Sequence, residues 1–218
     1  MASLTLYSYW RSSSSFRVRL ALALKGLSYE VVPVNLLRGE QRSASYKARS
    51  PMGFVPCLMV DDTPFVESVA IIELLEELYP HPALYPSAPY DRARVRALVE
   101  MVNAGIQPLQ NLSVLDHLSQ DLQTRLAWSR HFIARGLEAF EAAMANHAAR
   151  GIEGRYAYGD APTAADCYLA PQVYNARRFG VDLGKYPRLT AAADALTELA
   201  VVQPALPENQ PDAVLTGR

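Results

Sequence analysis

Four prolines between residues 80 and 90 (Pro80, Pro82, Pro86 and Pro89) divide the chain into two stretches of different hydrophobic period. Proline fixes φ and lacks an N–H, so such a cluster reads as a linker. Before it the period alternates between strand and helix; after it the period is helical. The expected organisation is an α/β domain over residues 1–80, a linker over 81–89, and an all-α domain over 90–218. A chain of 218 residues can bury a core in each half.

In the first half, Ser3 to Tyr9 is β-prone, and Phe16 to Lys25 is rich in helix formers and stops at Gly26. Tyr29 to Val34 reads as a second strand, with Pro33 suggesting an edge or a bulge. Residues 36–50 read as mixed loop and short helix. Cys57–Val60 and Pro64–Glu67 flank the polar turn Asp61-Asp62-Thr63 and predict a hairpin. Ser68 is placed to cap a helix that runs to Tyr79. The order β-α-β then β-β-α makes the first two strands parallel.

In the second half, Val95, Leu98, Val99, Val102 and Ile106 recur at helical spacing, as do Ile133, Leu137, Phe140 and Met144. Thr163 followed by Asp166 reads as a capping box, with Asp in place of Glu. The tail from Gln203 holds Pro204, Pro207 and Pro211 and reads as irregular surface chain.

Composition narrows the function. Net charge is −1, which provides no overall field for nucleic acid or an anionic membrane. No apolar run approaches the length of a membrane span, and the N-terminus lacks the pattern of a signal peptide, so a cytoplasmic protein is expected. Cys57 and Cys167 sit in apolar surroundings and read as reduced and buried. No Cys/His cluster offers a metal site, and none of the four histidines belongs to a recognisable triad.

Three places carry chemistry. The run Ser12-Ser13-Ser14-Ser15 lies between a strand and a helix start. Its serines can cap the helix, and the same junction can stabilise an anion through free N–H groups and the helix dipole. A thiolate there would be stabilised, and a serine hydroxyl bonded to it would lower its pKa further. Val55-Pro56 precedes a strand; the bond is an ordinary trans proline or a cis turn that exposes the Val55 backbone to an extended ligand. Glu67-Ser68 is a strand end followed by a helix cap, or a carboxylate and a hydroxyl placed for a ligand's ammonium and carboxylate.

Together these segments resemble the zeta class of glutathione transferases. Tyr7-Ser8-Tyr9-Trp10-Arg11-Ser12-Ser13-Ser14-Ser15-Phe16-Arg17-Val18-Arg19 is similar to the class signature, in which a Ser-Ser-Cys run precedes an Arg-x-Arg helix start. Ser50-Pro51-Met52, Val55-Pro56, Glu67-Ser68-Val69-Ala70, Gly105 to Val114, Gly159-Asp160, Ala165-Asp166 and Pro171 to Phe179 extend the resemblance over nearly the whole chain. It implies a thioredoxin-like α/β N-terminal domain and an all-α C-terminal domain, with glutathione as cofactor. It assigns Ser12 the hydroxyl that stabilises the thiolate, and Ser13, Ser14, Gln41, Val55, Pro56, Glu67 and Ser68 to the glutathione site. Gln107, Asn111 and Ser113 are implied as glutathione contacts from the second domain. One departure stands out: the signature cysteine is Ser14 here, so chemistry that needs a thiolate at that position is lost, while glutathione activation by Ser12 is kept.

The activity implied is isomerisation of maleylacetoacetate: thiolate addition to its cis double bond, rotation, and elimination to the trans product. The substrate is a small dicarboxylate, for which Arg11 and Arg178 are the expected partners, since a guanidinium grips a carboxylate through two hydrogen bonds. Arg177 reads as a surface charge. Maleylpyruvate isomerisation, transfer to α-haloacids, and a non-catalytic binding module are the alternatives. The resemblance also implies a homodimer.

Overall fold

The computed structural model describes residues 2–214. The chain forms two compact units, one running to Ala83 and resuming at Leu199, the other spanning Leu84–Glu198.

The first unit is built on a four-stranded sheet: β1 (Leu4–Ser8), β2 (Glu30–Pro33), β3 (Cys57–Val60) and β4 (Thr63–Val66), in the order β2-β1-β3-β4. β1 pairs parallel with β2 through helix α1 (Ser13–Leu24), as the β-α-β pattern requires, and Pro33 is on an edge strand, where its missing N–H costs no ladder bond. β3 pairs antiparallel with β1 and with β4, and Asp61 takes the positive φ (52°) of the hairpin turn. The period-2 pattern of β1 buries Leu4 and Leu6. Helix α1 and helix α3 (Ser68–Leu78) pack together over a core that includes Val18, Leu22, Ile71, Ile72 and Leu75.

Helix α1 is buried almost all round, including both arginines of Arg17-Val18-Arg19. Lys25 follows it, with its Nζ bonded to Glu76 Oε2 at 2.7 Å and to the carbonyls of Tyr79 (2.7 Å) and Pro82 (3.0 Å). This ties the end of α1 to the end of α3 and to the start of the proline-rich segment. A short helix α2 (Ala44–Lys47) follows two 3-10 turns, which is the mixture expected for residues 36–50.

The second unit contains α4 (Pro89–Asn103), α5 (Leu112–Leu118), α6 (Leu122–Ala148), α7 (Ala164–Phe179) and α8 (Pro187–Thr197). Both apolar stripes read from the sequence are buried. Helix α7 packs against α4, α6 and α8 and is buried along most of its length. Its capping box is complete: Asp166 accepts from the Thr163 N–H at 2.8 Å and from the Thr163 hydroxyl at 3.0 Å, and also from the Ala157 N–H at 2.7 Å.

Two boundaries differ from the sequence reading. Leu84 and Tyr85 are buried and belong to the second unit, so the proline-rich segment is only partly a linker. The tail is not irregular surface chain belonging to the helical domain. Over residues 199–214 it groups with the first unit, where the 3-10 segment Ala200–Ala205 packs on α1 and buries Val202 and Ala205. The apolar residues between its prolines supply that contact, which a reading centred on the prolines misses.

Candidate active site

Ser12 takes an extended conformation (φ −69°, ψ 118°) and caps α1, its Oγ accepting the Ser15 N–H at 3.2 Å. By helix geometry the N–H groups of Ser13 and Ser14 have no partner within α1 and lie at the positive end of its dipole. The Oγ atoms of Ser13 and Ser15 are buried without a hydrogen-bond partner. The Ser12 cap therefore leaves the first N–H groups of α1 available at this junction. Arg11 places its guanidinium 4.9 Å from the ring centre of Trp10.

The Val55-Pro56 bond is cis. The segment before it is pinned: the carbonyl of Phe54 accepts from Tyr46 Oη (2.8 Å) and Ser50 Oγ (2.9 Å). Val55 precedes Cys57, the first ladder residue of β3, so its backbone groups lie outside the ladder. Gly53 has φ +65°, and a Cβ there would lie 2.8 Å from the carbonyl oxygen of Gln41. Glycine thus allows the Gln41 turn to approach, and Gln41 Oε1 is buried with no partner.

Glu67 has φ 68° and ψ 120°, a conformation costing roughly 1–3 kcal/mol for a residue with a Cβ. It, not Ser68, occupies the cap position of α3, and it makes no capping bond. Ser68, expected as the cap, is therefore not one. The turn at Glu67 brings Ser68 into the first helical position, where its Oγ accepts from Arg17 Nη1 at 3.1 Å. The first turn of α3 is consequently without a side-chain cap.

Sheet register brings these segments together. Tyr7 pairs with Cys57, and Cys57 with Val66. The chain leaving β1 towards Ser12, entering β3 from Val55, and leaving β4 towards Glu67 therefore occupies one end of the sheet. Two helix N-termini, an unpaired backbone segment and a carboxylate converge there, an arrangement suited to an extended peptide carrying anionic groups. Cys57 is no nucleophile: burial pushes its thiol up to about 11, despite the nearby Arg49 guanidinium.

In the second unit, Gln107 opens the 3-10 turn Gln107–Gln110. Asn111 caps α5, with Oδ1 accepting from the Ser113 N–H and hydroxyl at 3.1 Å each, so these two candidates are neighbours. Arg177 is bound to Asp194 at 2.6 Å, while Arg178 is exposed with its guanidinium 4.9 Å from the Phe179 ring centre.

Residues 6–83 match the glutathione S-transferase N-terminal domain and residues 130–195 the C-terminal domain. The chain belongs to the glutathione S-transferase family. Maleylacetoacetate isomerase of Pseudomonas aeruginosa is 46% identical over 95% of this chain and 97% of its own. Maleylacetoacetate isomerase of Anaeromyxobacter dehalogenans, solved with bound dicarboxyethyl glutathione and citrate in the active site, is 50% identical over 99% of this chain and 96% of that one, with a TM-score of 0.88. A zeta-class bacterial enzyme, maleyl pyruvate isomerase in its holo form, is 43% identical over 96% of this chain and all of that one, with a TM-score of 0.93. The family's thioredoxin-like and helical domains account for the sheet with its α1–α3 layer and for the helices that follow.

The sequence reading missed Arg17, whose bond to Ser68 needs a buried cation, and Gly53, whose role depends on the approach of Gln41. The Arg-x-Arg pair was visible as a motif; burial of both side chains was not.

Proposed function

We propose that this chain catalyses the glutathione-dependent cis–trans isomerisation of maleylacetoacetate to fumarylacetoacetate, with Ser12 as the catalytic hydroxyl. The observation that carries the reading is the Ser12-capped start of α1 at the same sheet end as Val55 and Glu67-Ser68. Residues there match the groups of glutathione. The open first turn of α3 with Ser68 suits the γ-glutamyl carboxylate, Glu67 suits its ammonium, and the Val55 backbone ahead of Pro56 suits the peptide amides. Ser13 and Gln41 contribute buried polar atoms that lack partners.

Bound glutathione supplies a thiolate whose reversible addition to the substrate's cis double bond permits rotation before elimination. The protein's part is electrostatic and positional. Ser12 accepts the Ser15 N–H, and its hydroxyl proton points to the thiolate; the N–H groups of Ser13 and Ser14 add to the same field. Arg178, exposed and lying against the Phe179 ring, is the candidate for a substrate carboxylate by its place in the Pro171 to Phe179 block. Arg11, stacked on Trp10, is the second carboxylate partner. Ser14, at the place of the class cysteine, provides its backbone N–H but no thiol.

The relative carrying dicarboxyethyl glutathione and citrate favours a dicarboxylate substrate. The similarity to maleyl pyruvate isomerase supports maleylpyruvate as the second reading. Purified enzyme with saturating glutathione, assayed with each substrate by ultraviolet absorbance, tests both. A higher kcat/KM for maleylacetoacetate is expected; a preference for maleylpyruvate reverses the order, and no turnover of either removes the proposal. The enzyme acts as a cytoplasmic homodimer in this reading, which sedimentation analysis checks for the oligomer.

A further inference from the structure

The turn that delivers Ser12 is held by the side chains of Arg19, within α1, and of Asp212, 202 residues beyond Trp10. Arg19, fully buried, donates from Nη2 to the Trp10 carbonyl (3.0 Å) and from Nη1 to the Tyr9 carbonyl (3.4 Å) and Ser8 Oγ (3.1 Å). Its Nε donates to the Ala205 carbonyl in the C-terminal segment at 2.9 Å. The Tyr9 carbonyl also accepts the Ser12 N–H at 2.9 Å. On the other side of the same peptide chain, the Trp10 N–H donates to Asp212 Oδ2 at 3.0 Å.

The C-terminal segment therefore grips this turn twice, through Asp212 directly and through Ala205 and Arg19. The segment is itself fixed: Gln210, buried, donates to the carbonyls of Pro204 (2.7 Å) and Leu206 (3.0 Å), and Ala213 packs against the cluster containing Tyr9 and Trp10. A buried guanidinium is costly to desolvate and is retained here with three directional bonds to one turn and a fourth to the C-terminal segment. What those bonds fix is the backbone from Ser8 to Ser12, and with it the direction of the Ser12 hydroxyl and the Trp10 ring beneath the Arg11 guanidinium.

We propose that Asp212 and Arg19 are positioning residues for Ser12, so that the C-terminal segment forms part of the catalytic scaffold. The inference rests on the proposed role of Ser12. Small displacements of a positioned group are enough to lower a rate by one or two orders of magnitude.

The test uses the full-length enzyme with Asp212→Ala, Asp212→Asn and Arg19→Lys. It measures kcat and glutathione KM, the pKa of bound glutathione from thiolate absorbance against pH, and Tm. Asp212→Ala is expected to lower kcat about tenfold and raise the bound thiol pKa by about one unit, with glutathione KM changed less than about threefold. Asp212→Asn keeps an acceptor for the Trp10 N–H and restores both to within about twofold of wild type. Arg19→Lys cannot span the four oxygens and shifts both readouts further in the same direction; where it fails to fold, the Asp212 pair decides. Asp212→Ala with wild-type kcat and thiol pKa, whatever its Tm, overturns the inference alone. A wild-type enzyme that neither binds glutathione nor isomerises overturns the proposed function together with it.

Discussion

Ser12 Oγ accepts the Ser15 N–H at 3.2 Å, so the hydroxyl assigned to the thiolate also caps the helix behind it. Ser12→Ala removes both roles: about 1 kcal/mol of stability for the cap and about 10²–10³ in kcat for the lost donor. Ser12→Asp separates them. An Asp cap restores stability, but its charge repels a thiolate, so Tm recovers while the bound thiol pKa rises above that of Ser12→Ala. Thermal unfolding and thiolate absorbance of the two variants measure this directly.

Both cysteines are buried and neither is in a disulfide, and Cys57 has its thiol pushed up to about 11. Native enzyme is therefore expected to resist thiol-directed alkylation, with both residues labelled only after unfolding. Ser14→Cys places a thiol in the first turn of α1, where the dipole lowers its pKa. That variant should take up one equivalent of iodoacetamide in the folded state, and bound glutathione should protect it. Rapid labelling of the wild type would contradict the burial described.

Glu67 holds a positive φ of 68°. Glu67→Gly relieves that conformation and is expected to raise stability by up to about 1 kcal/mol. It also removes the carboxylate assigned to the glutathione ammonium, so glutathione KM should rise at least tenfold. Opposite signs in Tm and affinity are the expected signature; a loss of both would mean the side chain braces the turn itself.

Asp166 is fully buried at the capping box, and burial pushes its carboxyl up to about 6 from 3.8, against the three donors from Ala157 and Thr163. A raised folded-state value means the folded protein binds this proton more tightly than the unfolded chain. This group's contribution to stability is therefore greatest below pH 3.8 and falls as pH rises through about 6, by about 3 kcal/mol in all. Asp166→Asn cannot titrate, so the stability difference, wild type minus variant, should shrink between pH 4.5 and 7 in urea unfolding. A carboxyl carbon resonance titrating near 4 would show that the donors outweigh burial.

The strands, the hairpin, the helical stripes and the capping box were legible because each depends on spacing within a short window. The chemistry-bearing segments were legible as motifs, and register explains why they meet: Tyr7, Cys57 and Val66 align across three strands. What the sequence concealed depends on contacts across long separations. Ser68 looked like a cap because the unusual φ of Glu67 is not encoded by residue type. Arg17 and Arg19 were legible only as the Arg-x-Arg of a signature, and the contacts to Ser68, Trp10 and Ala205 reveal them as interior donors. The tail read as irregular surface chain by its prolines, although Val202 and Ala205 are buried.

The first unit takes its residues from both ends of the chain, with the helical unit inserted between Ala83 and Leu199. During synthesis the helical unit is complete before the first unit is, because Ala205 and Asp212 follow it in the chain. Contacts spanning 186 and 202 residues, from Arg19 to Ala205 and from Trp10 to Asp212, can close only after that point. A chain cut short before Ala205 would thus hold every residue of the helical unit and lack both of the bonds that tie the C-terminal segment to the turn before Ser12.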